Sequence, residues 1–91
     1  MTQTKLLVGS LSNDLFRVAV LTQRGSYPSA TRFLHEAKRW SRQLITTDVK
    51  PYIIKIATEI TNESKERLSL ETAEKYLMYG VLLQNYALCM K

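Results

Sequence analysis

One cysteine, one histidine and three glycines in 91 residues remove several classes of function before any motif is sought. A lone Cys89 cannot close a disulfide within the chain, and neither a second cysteine nor a cluster of histidines is present to hold structural zinc. This usage points to a reducing compartment, so the chain is expected to be cytoplasmic, with no bound metal and no cofactor. Gly9, Gly25 and Gly80 stand far apart, so no glycine-rich loop exists to cradle a nucleotide phosphate. His35 has no Asp, Ser or Cys at a spacing that marks a nucleophile and its base. No catalytic residue is nominated, and the chain is read as a non-enzyme.

Long apolar runs are also missing. The charge-free stretch from Tyr76 to Met90 is shorter than the ~20 residues that span a bilayer, and it contains Gln84 and Asn85. Near the N-terminus, Leu6-Leu7-Val8 behind Lys5 is interrupted by Gly9 and Ser10, a poor match to a secretory leader. No transmembrane segment is expected. Few prolines and glycines accompany an ordinary apolar fraction, which excludes disordered and fibrous chains. Residues 1–91 are read as a single helical domain, of a size that buries about 60–65% of its unfolded surface.

What the sequence does have is amphipathic helical spacing and a lopsided charge. Residues 1–50 hold eight Lys and Arg against three acids, whereas residues 51–91 hold five of each. The whole excess of +5 therefore lies in the first half, where an anionic partner would be drawn.

From Leu6 to Arg24, Leu7, Leu11, Leu15, Val18 and Leu21 or Thr22 recur at helical intervals, with Ser12 or Asn13 able to cap a start and Gly25 to stop the helix. A β-hairpin turning at Leu11 to Asp14 is the competing reading. A second helix is expected from Pro28 or Ser29 to Leu44 or Ile45, with Ala30, Phe33, Leu34, Ala37, Trp40, Ser41 and Leu44 as its core stripe. The oxygens of Thr46-Thr47-Asp48 are placed to cap a third helix over Val49 to Asn62, buried through Val49, Ile53, Ile56, Ala57 and Ile60. Its Lys50, Lys55, Glu59 and Glu63 are expected in solvent, and Glu63 and Arg67 at four-residue spacing allow a further turn. Ser69 is the natural cap of a last helix that runs to Lys91. The fold expected is all-α, a small antiparallel bundle of three to four helices; with the hairpin it becomes α+β, a β-hairpin and three helices.

Two surfaces stand out. On the back of the second helix Arg32, His35, Lys38, Arg39 and Arg42 share an arc without an acid, suited to phosphates or another anionic surface. On the last helix apolar residues point in nearly every direction. One face carries Leu70, Ala73, Leu77, Val81 and Leu88, with Gln84 expected as a buried polar residue that sets register, or else on a helix rotated enough for its amide to reach water near a bundle end; a second carries Tyr76, Leu83 and Ala87. A third, Tyr79, Leu82 and Tyr86 with Cys89, is assigned to self-association, because rigid amphipathic tyrosines suit interfaces. The resulting expectation is a small interaction module, a self-associating regulator or adaptor. It is expected to be a homo-oligomer, a homodimer by preference, with its basic helix facing an acidic protein or nucleic acid. The alternative is a nucleic-acid-binding regulator that uses the same basic face.

Overall fold

The stretch poised between helix and hairpin is one continuous α-helix, α1 (Gln3–Gln23), in the computed structural model, which describes residues 3–64 and 68–90. Gly9 and Ser10 do not interrupt it. The expected row of Leu7, Leu11, Leu15, Val18 and Thr22 is buried, and so is a second row of Val8, Ser12 and Ala19. Two buried rows mean two neighbours, which is why the apolar pattern of this helix is broad rather than a single stripe. The expected start at Ser12 or Asn13 is incorrect. Ser12 lies mid-helix and buried, because the helix already begins at Gln3. At the other end Gly25 takes a φ of 76°, Ser26 N–H donates to the Leu21 carbonyl at 2.8 Å and Gly25 N–H to that of Thr22 at 3.0 Å. This left-handed closure of the last turn needs a residue without a Cβ.

Pro28 then sits in the first turn of α2 (Tyr27–Leu44), where its missing N–H costs nothing. Thr46 and Thr47 do not cap the third helix as expected; their hydroxyls donate backwards to the carbonyls of Gln43 and Leu44, closing α2 instead. Helix α3 (Pro51–Thr61) starts on Lys50 without a side-chain cap. Its Ile53, Ile56, Ala57 and Ile60 are buried as expected, but so is Glu63 just beyond its end, contrary to its expected place in solvent. Arg67, its proposed partner for an extra turn, lies outside the described residues. Helix α4 (Leu70–Cys89) is capped by Ser69, whose hydroxyl accepts from Thr72 N–H at 3.2 Å.

The four helices form an all-α bundle, with no strand among the described residues, so the hairpin alternative is not needed. Helix α1 is its axis, packed along both α2 and α4, while α3 leans on α2. Lys5 Nζ reaches the Met90 carbonyl at 3.4 Å and Ser12 Oγ reaches that of Gly80 at 2.7 Å, so α1 and α4 run antiparallel. At their crossing the Phe16 ring fills the space beside Gly80, and a Cβ built there would come within 2.9 Å of it. The glycine permits the approach that brings Ser12 into bonding range.

This crossing generates a prediction. Alanine at position 80 gains about 1 kcal/mol of helix propensity but overpacks against Phe16, at a typical cost of about 1–3 kcal/mol. Gly80→Ala is therefore expected to give no gain in the wild-type chain and a clear gain in a Phe16→Leu background. A coupling of about 1–2 kcal/mol in a denaturation double-mutant cycle is the expected result, and strict additivity would refute the close contact.

Candidate functional site

Helix α2 separates two chemistries by its own periodicity. Ala30, Leu34, Ala37, Ser41 and Leu44 face the interior, and Phe33 and Trp40 are half-buried at its margins. On the outside Arg32, His35, Arg39 and Arg42 are exposed and Lys38 is partly exposed. From Arg32 to Arg42 the helix rises roughly 15 Å, so the cations extend along most of the element. Among the described residues none of the five forms an ion pair. A row of cations without ion pairs, held on one helix, offers its charge to a ligand without first breaking a salt bridge.

Behind this row is a carboxylate that sequence reasoning missed. Asp14 of α1 is buried and accepts the indole N–H of Trp40 at 2.9 Å. Burial, with the charge of Glu36 added, pushes its pKa up to about 6, against the lowering effects of the Trp40 bond and the Arg17 charge. Over the face of the same indole, the Arg39 guanidinium lies 5.7 Å from the ring centre. The chain Asp14, Trp40, Arg39 thus connects the interior to the basic face. Arg17 adds a further cation, 5.2 Å above the Phe33 ring, and it too escaped notice because it belongs to a different helix. Neither contact has a local spacing signal; both depend on how α1 and α2 are docked.

The faces of α4 are distributed differently from expectation. Tyr76, Leu83 and Ala87, with Ala73 and Gly80, form the side turned to the core. Tyr79 and Tyr86, assigned above to self-association, meet α3 of the same chain. The Tyr79 hydroxyl donates to Glu59, Lys75 Nζ bonds the same carboxylate at 2.8 Å, and the Tyr86 ring stands edge-on to Tyr52 with centroids 6.0 Å apart. Leu82 and Cys89 remain exposed. Desolvation would raise the pKa of Glu59, but the bonds from Lys75 and Tyr79 and the nearby Lys75 and Lys55 charges outweigh it and hold the carboxyl below its ordinary value. Tyr79 is pushed up to about 12 by its own burial and by its bond to that carboxylate. Burial, followed by the charges of Glu63, Glu59 and Tyr79, also holds the Tyr76 phenol well above its usual range.

Gln84, expected inside the apolar face, is exposed. The reason is a rotation of α4 that turns Gly80 and Leu83 toward α1 and carries the row containing Gln84, Leu77, Val81 and Leu88 outward. Among the described residues no group of His, Cys, Asp and Glu is arranged to hold a metal ion, and no helix is long and apolar enough to cross a membrane.

No family model, curated protein or solved structure matches the chain.

The buried carboxylate makes the fold pH-dependent in a definite sense. Between the ordinary aspartate value of 3.8 and about 6, the folded chain holds a proton that the unfolded chain has released. The contribution of Asp14 to stability therefore falls as pH rises through that window. Trp40, the only tryptophan, reports it directly: its fluorescence is expected to titrate with a midpoint near 6, and Asp14→Asn to abolish the step while retaining an acceptor for the indole. A midpoint below pH 5 would contradict the assignment.

Proposed function

We propose that this protein is a small, non-enzymatic interaction module that self-associates and offers the outer face of α2 to an anionic partner in a regulatory or adaptor role. The observation that carries this reading is the row Arg32, His35, Lys38, Arg39 and Arg42, turned to solvent and without an ion pair among the described residues. Isolated basic residues on a surface are ordinary. Here they share one side of an 18-residue helix, whose other side is tied to the core through Trp40 and Asp14. The cations are consequently presented as a group, and a partner with several negative charges gains from all of them at once.

Nucleic acid is the second reading, favoured by the length of the row: cations distributed over roughly 15 Å of helix can meet successive phosphates along a strand. Phosphate contacts position a protein without reading sequence, so sequence-independent binding is expected in that case. Catalysis has little support. His35 stands on the exposed side of α2, and no acid or nucleophile is bonded to it among the described residues.

The test is fluorescence anisotropy with labelled single- and double-stranded nucleic acid and with a labelled acidic peptide, at low and near-physiological salt. Binding is expected to weaken with salt and to be lost in the triple variant Arg32→Glu, Arg39→Glu, Arg42→Glu. For duplex DNA the log–log salt slope should shrink by about 0.9 for each phosphate contact removed. Binding that is unchanged in the triple variant would remove α2 from the site, and the probe that binds decides between the two readings.

A further inference from the structure

The open face of α4 is the one that sequence periodicity assigned to the interior. Leu70, Val81 and Leu88 are 63%, 47% and 72% exposed, and they fall with Leu77 and Gln84 on one flank of the helix. On the opposite flank Tyr79 and Tyr86 reach α3, and the side between the two flanks packs on α1. From Leu77 onward the spacing 77, 81, 84, 88 is that of alternating four- and three-residue steps, the repeat with which one helix seats against another; toward Leu70 the exposed Glu74 lies on the same flank.

We propose that this flank of α4 is the surface through which two copies of the chain associate, an inference that rests on the self-association part of the reading above and assigns it to new residues. Three observations select a second copy over another partner. No charged residue occurs from Tyr76 to Met90, so a partner chosen by charge has nothing there to recognise. A chain of net charge +5 repels its own copy least along the uncharged stretch from Leu77 to Leu88, which belongs to a different helix from the basic row of α2. Gln84 stands inside the apolar flank, and an amide both donates and accepts, which makes it complementary to the same amide in a second copy. Beside the flank, a groove of about 240 Å³ between α1 and α4 is lined by Lys5, Leu6, Gly9, Ser10, Asn13 and Ala87. Nothing occupies the space where a Cβ on Gly9 would project. An exposed leucine of the second copy fits such a recess, and the two-fold relation supplies the same contact twice.

The experiment is sedimentation equilibrium on the full chain at micromolar concentrations, comparing wild type with Val81→Glu, Leu88→Glu and, on the other flank, Leu82→Glu. All three positions are solvent-exposed, so the fold tolerates the change, and circular dichroism verifies it. The expected result is a wild-type dimer whose dissociation constant rises at least ten-fold in Val81→Glu and Leu88→Glu but not in Leu82→Glu. A dimer weakened only by Leu82→Glu would overturn this surface while leaving self-association standing. A wild-type chain that is monomeric throughout would overturn both. Neither result bears on anion binding by α2, which the triple arginine variant tests separately.

Discussion

The bundle depends on how closely α4 can approach α1. A helix with apolar residues in two rows, as α1 has, cannot satisfy both rows with one neighbour. Helix α2 follows from a tight turn and covers the first. The second is covered from the far end of the chain, by an α4 that must lie close along α1. Gly80 makes that possible: the Phe16 ring occupies the volume of a missing side chain, and Ser12 bonds a backbone carbonyl across the crossing. Without this contact neither the orientation of α4 nor the sorting of its three apolar faces would follow.

That sorting connects the fold to the surfaces. Once Gly80, Tyr76 and Leu83 are turned toward α1, the tyrosines at 79 and 86 fall beside α3. There a carboxylate and a second ring receive them. Glu59 is held between Lys75 and Tyr79, a charge-assisted arrangement that fastens a short third helix whose own start has no side-chain cap. The remaining flank has no helix of the same chain left to cover it. The 11-residue α3 packs on α2 and meets the 20-residue α4 only through side chains such as Glu59 and Tyr52, and α2 is committed to α1.

The basic face and the interior are linked rather than independent. Trp40 stands at the margin of α2, giving its N–H to buried Asp14 and one ring face to Arg39. A carboxylate that is costly to bury is tolerated because the indole satisfies one of its lone pairs and its raised pKa lets it shed charge. The buried stripe Ala30, Leu34, Ala37, Ser41 and Leu44, with this indole at its margin, faces the core and leaves Arg32, His35, Lys38, Arg39 and Arg42 on the outer side.

Much of this was legible in the residues. Helical periodicity marked α2 and α3 and their buried faces, Gly25 and Pro28 marked the first break, Ser69 marked the cap of α4, and the acid-free arc of α2 was visible on a helical wheel. These features are local: they follow from 3.6 residues per turn, from a glycine's access to positive φ and from a hydroxyl within reach of a free N–H. Tertiary structure alone decided what depends on neighbours distant in sequence. It made α1 a helix buried on two sides, buried Asp14 and Glu63, bent the Thr46 and Thr47 hydroxyls back onto α2, and rotated α4 so that Gln84 faces out. A helix apolar all round has no preferred inward direction of its own. The partners at Phe16 and Glu59, more than sixty residues before and twenty residues before their contacts on α4, supplied it.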